Sequence, residues 1–160
     1  MRFAAAHLAE DGRALLQTVV RRDAPDLAVM VTGLLHGAVA RARLALVTSG
    51  TATMEVALMG TPLCVFYKVS RLELWLSRLL LTVPHIAQVN LVRGKRAFPE
   101  FLVARPDHPA IAAQALALYQ DGEPRTTALA ELAELRRQMG LPGASERAAA
   151  SVLGFLSSRE

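Results

Sequence analysis

The sequence predicts an α/β fold, a Rossmann-like parallel sheet with flanking helices followed by a helical tail. Three observations predict it. The runs Leu27–Thr32, Leu44–Thr48 and Leu63–Tyr67 carry no charge, as strands covered on both faces require. Short helical patterns separate them, the alternation of a sheet whose parallel strands are joined by helical crossovers. The last four helical patterns follow one another without comparable apolar runs between them.

A short apolar stretch reaches Ala6, and the first helical pattern runs from about Leu8 to Arg22. Ala24-Pro25-Asp26 breaks it before the first clear strand. A brief helix over Leu35–Ala42 precedes the strand that ends at Ser49-Gly50-Thr51, and the next helix is predicted over Ala52–Met59. Gly60-Thr61-Pro62 stops that helix and Leu63 opens the third strand. Beyond Lys68 a Leu- and Trp-rich helix is predicted from Arg71 to Leu81, then an irregular stretch from Thr82 to Pro99. Helices over His108–Gln120, Thr126–Met139 and Ala144–Leu156 complete the chain, separated by Asp121-Gly122-Glu123-Pro124 and Gly140-Leu141-Pro142-Gly143. This pattern divides the chain into a sheet-forming region, 1–105, and C-terminal helices, 106–160, that pack on it.

At 160 residues and 52% hydrophobic composition the chain is long enough for one buried core. Its net charge of +4 suits a phosphorylated ligand, an anionic membrane face or nucleic acid. Nucleic acid is disfavoured: the cations are scattered, and five Phe, two Tyr and one Trp offer little stacking surface. Cys64 is the only cysteine, which rules out an intramolecular disulfide or thiolate cluster and fits a reducing cytoplasm. His7, His36, His85 and His108 lie too far apart in sequence to suggest a metal site, and no metal or cofactor is expected. No uncharged run reaches the roughly 18 residues of a spanning helix, so the expectation is a soluble or peripheral protein.

The segment with most chemistry is the Ser49-Gly50-Thr51 turn between strand and helix. A helix start carries unpaired N–H groups that attract phosphate, Gly50 permits close approach, and the Ser49 and Thr51 hydroxyls can cap the helix or meet a ligand. With Thr51 as cap, Glu55 lies one position beyond the capping-box partner and is free to accept from a ribose hydroxyl or to complement the helix dipole. Asn90 can read a base edge or a sugar hydroxyl, and Arg93, Lys95 and Arg96 can meet a diphosphate or a lipid phosphate; a solvated loop is the alternative. The Trp75 helix is expected to pack against the sheet, with a bilayer surface or a partner subunit as alternatives. Catalytic constellations are absent: Ser49 lacks the glycine pattern of a hydrolase elbow, and no Walker lysine follows a glycine loop.

Taken in order, these motifs resemble the lipid-A-disaccharide synthases, glycosyltransferases of the GT-B type with two Rossmann-like halves facing a cleft. The resemblance is carried by LALVTSGTATMEVALMGTPLCVFYKVSRLELWLSRLL, with its SGTA-x-x-E helix, its Pro-bearing strand and the Tyr67-Lys68 pair. It continues through the Asn90–Glu100 segment and the helix containing Gly143-Ala144-Ser145 and Leu153. It implies that this chain is the C-terminal, donor-binding half, with 1–105 as the UDP-sugar region. It also implies that Ser49, Gly50, Thr51, Glu55, Asn90 and Glu100 hold the UDP part of the donor. Two departures stand out: Val89 replaces the family's usual Pro, and Val103 replaces a Gln.

The implied reaction transfers 2,3-diacylglucosamine from UDP to 2,3-diacylglucosamine 1-phosphate with inversion and without a covalent enzyme intermediate. The expected partners are therefore UDP-2,3-diacylglucosamine and the acylated glucosamine 1-phosphate, on the cytoplasmic face of the inner membrane. The family's first half, its glycine-serine-arginine loop and its general base have no counterpart in this sequence. A separate first half or a second copy is accordingly expected as a protein partner, and no residue here is assigned a catalytic role. The alternatives are the donor half of another UDP-sugar transferase and a non-catalytic interaction module.

Overall fold

Apolar β-branched runs and short helices assemble into two parallel sheets. The computed structural model describes residues 3–6, 10–24, 26, 29–32, 35–48, 50–80, 83–105, 108–140 and 143–157. β1 (Phe3–Ala6) is followed by α1 (Glu10–Asp23), β2 (Val29–Thr32) and α2 (Leu35–Arg41). β1 and β2 pair in parallel, Phe3 opposite Val29 and Ala6 opposite Thr32. β3 (Ala45–Val47), α3 (Gly50–Leu58) and β4 (Leu63–Lys68) come next, then α4 (Arg71–Leu80), α5 (Gln88–Arg93) and β5 (Glu100–Val103). The second sheet has the order β3-β4-β5, all parallel, with Val47 opposite Val65 and Val65 opposite Glu100. α6 (His108–Tyr119), α7 (Glu123–Met139) and α8 (Ala144–Ser157) complete the chain.

The core sits around β4, whose Leu63, Cys64 and Val65 have no exposed surface. Val56 and Ala57 of α3, Val89 of α5, Ile111 and Leu118 of α6, and Leu132 and Leu135 of α7 pack with them. Burial on both faces explains why β4 reads as an unbroken apolar run. Polar atoms inside this core are paired. The Thr61 hydroxyl donates to the Val39 carbonyl at 2.8 Å, fastening the start of β4 to α2. Gly60 makes the preceding turn with φ of +84°, and a Cβ there would meet the Arg136 guanidinium at 2.9 Å. Arg136 in turn donates to the Leu58 carbonyl at 2.7 Å, holding α7 against the end of α3.

The strands and helices follow the predicted order, with several differences. The stretch expected to be irregular from Thr82 to Pro99 contains α5, six residues closed at its C-terminus by Gly94 with φ of 63°. β5 had no sequence counterpart, because Glu100 and the following Phe-Leu-Val give too short a run to stand out. Trp75 does not pack into the sheet: Leu72 and Trp75 are 65% and 61% exposed on α4. Of the C-terminal helices, α6 and α7 bury residues in the core whereas α8 buries none, leaving Val152, Leu153, Phe155 and Leu156 exposed.

Candidate functional site

β3 runs directly into α3, so the first-turn amides of α3 stand at the carboxyl end of a sheet strand. α3 opens at Gly50, which places Thr51 inside the first turn rather than at the cap, with its side chain exposed. The turn is braced from within by the buried Thr53, whose hydroxyl donates to the Gly50 carbonyl at 2.5 Å. Ser49, expected in the same turn, lies outside the described residues. Glu55 is exposed one turn further on, 3.8 Å from Nε2 of His36 on α2, so its carboxylate faces solvent beside an imidazole.

A second group gathers beside this turn. Tyr67 near the end of β4 brings its hydroxyl to 3.5 Å from where a Gly50 Cβ would stand. The same tyrosine lines a cavity of about 260 Å³ together with His85, Arg96 and Glu100. Burial, and secondarily the charge of Glu100, push the Tyr67 phenol up, so it is a neutral hydrogen-bond donor near pH 7. Glu100 is 14% exposed in its side chain. Its Oε2 accepts from the Ala87 amide at 2.9 Å and the Ile86 amide at 3.3 Å, and Oε1 meets His85 Nδ1 at 3.1 Å. The carboxylate thus caps the start of α5 from a neighbouring strand. Tyr67 stands between the Gly50 turn and Glu100, which joins the two parts of the expected site.

Asn90 is fully buried, and its amide closes on the Phe98 backbone. Nδ2 donates to the Phe98 carbonyl and Oδ1 accepts from the Phe98 amide, each at 2.9 Å. Its side chain therefore orients the segment leading to Glu100. The cations after it are also engaged. Arg93 Nε and Lys95 Nζ reach the Glu131 carboxylate of α7 at 2.9 and 2.6 Å, and Arg96 donates to the Glu100 carbonyl at 3.0 Å. Arg93 and Lys95, read from sequence as phosphate partners, are thus part of the α5–α7 joint. Sequence reasoning passed over His85 as a site residue, since it belongs to no spacing pattern, and named Arg96 only as one of three phosphate partners; the packing of β5 against β4 brings both to Tyr67.

A larger groove of about 630 Å³ lies between β5, α6 and α7, lined by Phe101, Gln114, Leu118 and Glu123 among others; of the sequence-derived candidates only Arg96 reaches it. Among the described residues no group of three or more His, Cys, Asp or Glu is placed to hold a metal, and no helix is long and apolar enough to cross a membrane.

A parallel α/β sheet with a strand-to-helix turn at its carboxyl edge is the architecture of doubly wound α/β units, in which ligands bind just outside the strand ends. Comparison with known proteins makes the assignment specific. The model of the lipid-A-disaccharide synthetase family matches residues 2–152, and the chain belongs to that family. It is 43% identical over 138 residues to the lipid-A-disaccharide synthase of Syntrophus aciditrophicus, covering 86% of this chain and 36% of that protein. The synthase of Myxococcus xanthus is 39% identical over 128 residues, 80% of this chain and 33% of the relative. That of Anaeromyxobacter dehalogenans strain 2CP-1 is 37% identical over 127 residues, 79% and 33%. The chain thus spans about a third of the length of these relatives. The parallel sheet, flanking helices and helical tail agree with the C-terminal half of a GT-B glycosyltransferase.

Proposed function

We propose that this chain is a donor-nucleotide-binding fragment of a lipid-A-disaccharide synthase, working with the remaining two-thirds of such an enzyme. The reaction moves 2,3-diacylglucosamine from UDP onto 2,3-diacylglucosamine 1-phosphate. The observation that carries the reading is the juxtaposition of the α3 start with Tyr67 and Glu100 in a chain of this family.

In this reading the diphosphate lies against the first-turn amides of α3, with the Ser49 and Thr51 hydroxyls as further donors. Glu55 and Glu100 face the uridine side, where a carboxylate accepts from ribose hydroxyls or a base N–H. Asn90 acts through Glu100 by fixing the Phe98 backbone. In the chemical step the acceptor hydroxyl oxygen bonds to the anomeric carbon as the bond from that carbon to the UDP oxygen breaks. The hydroxyl proton passes to a base, and the electron pair leaves with UDP. This chain's contribution is to stabilise charge on the departing diphosphate; the base is assigned to the part of the enzyme outside it. Acylated substrates place the reaction at the cytoplasmic face of the inner membrane, where the exposed Leu72 and Trp75 of α4 suit peripheral contact.

The test is a transfer assay combining the 160-residue chain with the uncovered portion of the Syntrophus aciditrophicus enzyme. Disaccharide should form with acylated donor and acceptor and not with unacylated glucosamine 1-phosphate. Equal transfer to unacylated acceptors would instead identify the donor half of a different UDP-sugar transferase.

A further inference from the structure

Thr51 and Glu55 stand four residues apart on α3 and share its exposed face, turned away from the buried Thr53, Val56 and Ala57. A hydroxyl at the first turn is thus followed about 6 Å further along the helix by a carboxylate. A nucleotide presents its groups in the same order, phosphate first and ribose hydroxyls next. Among the described residues, the one charged or hydrogen-bonding side chain that meets this carboxylate belongs to α2: Nε2 of His36 lies 3.8 Å from Glu55 Oε2.

This pair does little for the fold. The two side chains are 75% and 52% exposed, and 3.8 Å exceeds hydrogen-bond distance, so the contact is screened by solvent. Core packing sets the approach of the two helices instead. Val39 of α2 is buried with Val56 and Ala57 of α3, and its carbonyl accepts from the Thr61 hydroxyl at 2.8 Å. His36 is thereby held beside Glu55 by a backbone that depends on neither side chain. The consequence is geometric. A ring beside Oε2 leaves Oε1 and the outer lone pair of Oε2 for two neighbouring hydroxyls. It also narrows the rotamers of a long exposed side chain before a ligand arrives, which reduces the entropy lost on binding.

We infer that His36 positions Glu55 to accept both hydroxyls of the donor's ribose, so that the site selects a ribonucleoside diphosphate over one lacking those hydroxyls. The inference rests on the donor-nucleotide reading and adds to it a residue that acts through Glu55. A phosphate is excluded from this spot by the charge of the carboxylate, whereas hydroxyls donate to it. The imidazole supplies a donor at Nε2 in its protonated form and in the neutral form that carries its proton there. With the diol bound, it closes on Oε2 to hydrogen-bond distance and fixes the carboxylate plane.

Calorimetric titrations with UDP and with 2′,3′-dideoxy-UDP test this, using the 160-residue chain combined with the uncovered portion of the Syntrophus aciditrophicus enzyme. The parent should prefer UDP by at least about ten-fold. His36→Phe keeps a ring of similar size without a donor. It should weaken UDP by about five- to ten-fold, leave dideoxy-UDP unchanged and preserve the circular dichroism of the chain. His36→Gln, whose amide offers a donor near the place of Nε2, should restore most of the UDP affinity. In a Glu55→Gln background His36→Phe should have no further effect, because the group it positions is gone. Equal weakening of both ligands, parent-like UDP binding by His36→Phe, or an undiminished effect in the Glu55→Gln background would overturn the inference. UDP binding by the parent with no preference over dideoxy-UDP overturns this inference alone, whereas absence of UDP binding overturns the donor-nucleotide reading beneath it.

Discussion

The Asn90 side chain and the Phe98 backbone exchange two hydrogen bonds of 2.9 Å inside the core, so one buried amide satisfies both polar groups of the Phe98 backbone. The pair anchors the segment that leads from Phe98 into Glu100. Asn90→Ala strands a buried donor and acceptor together and should cost about 2–4 kcal/mol. Asn90→Asp loses the donor to the Phe98 carbonyl and should be comparably destabilising. Urea unfolding of the two variants measures both, and near-wild-type stability for either would remove Asn90 from its structural role.

Glu100 holds the start of α5 through the Ile86 and Ala87 amides and faces His85. Glu100→Gln leaves an amide group where at least one acceptor stood. It should lower stability by about 1–2 kcal/mol and weaken UDP binding by about ten-fold. Calorimetry of the variant reads both effects. Loss of stability with unchanged UDP affinity would confine Glu100 to the capping role.

The joint between α5 and α7 should be sensitive to acid. Burial acts to raise the Glu131 carboxyl, but hydrogen bonds from Lys95 and Arg93 and their charges outweigh it and hold the group below its ordinary value of 4.5. A depressed carboxyl contributes stability above its unfolded pKa and loses that contribution as pH falls through the folded one. Glu131→Gln should therefore be less stable than the parent by about 1–2 kcal/mol near neutrality, with the gap closing below about pH 4. Chemical unfolding from pH 3 to 7 measures the gap, and a constant difference would contradict the assignment.

Cys64 is fully buried on β4, and burial pushes its thiol up to about 11 against the opposing charge of Arg96. At neutral pH it is both protonated and covered. A disulfide-exchange reagent should label it at least about a hundred-fold more slowly in the native chain than in denaturant. Rapid native labelling would mean that β4 is not the centre of the sheet.

What the sequence made legible follows from range. β4 and the Ser49–Thr51 turn announce themselves locally, through an unbroken apolar run and a turn that opens a helix. α5 did not, because it is six residues long and its cap comes from Glu100, seven residues beyond its last residue. Asn90 looked like a ligand group because a polar residue in a polar segment gives no sign of burial; only the fold shows that Phe98 uses both its atoms. Arg93 and Lys95 looked available for the same reason, their partner Glu131 being more than thirty residues away. Trp75 shows the converse: an amphipathic pattern records that a face is apolar, not what covers it.

The central claim is that UDP binds between the start of α3 and Glu100. The direct measurement is a UDP titration of the isotope-labelled chain, alone and with the complementary portion of the Syntrophus aciditrophicus enzyme, following backbone amide shifts. Saturable shifts should appear at Gly50, Thr51 and Glu100, and uridine without its phosphates should move Gly50 and Thr51 much less. No saturation up to about 10 mM UDP under either condition, or shifts confined to the groove between α6 and α7, would contradict the account.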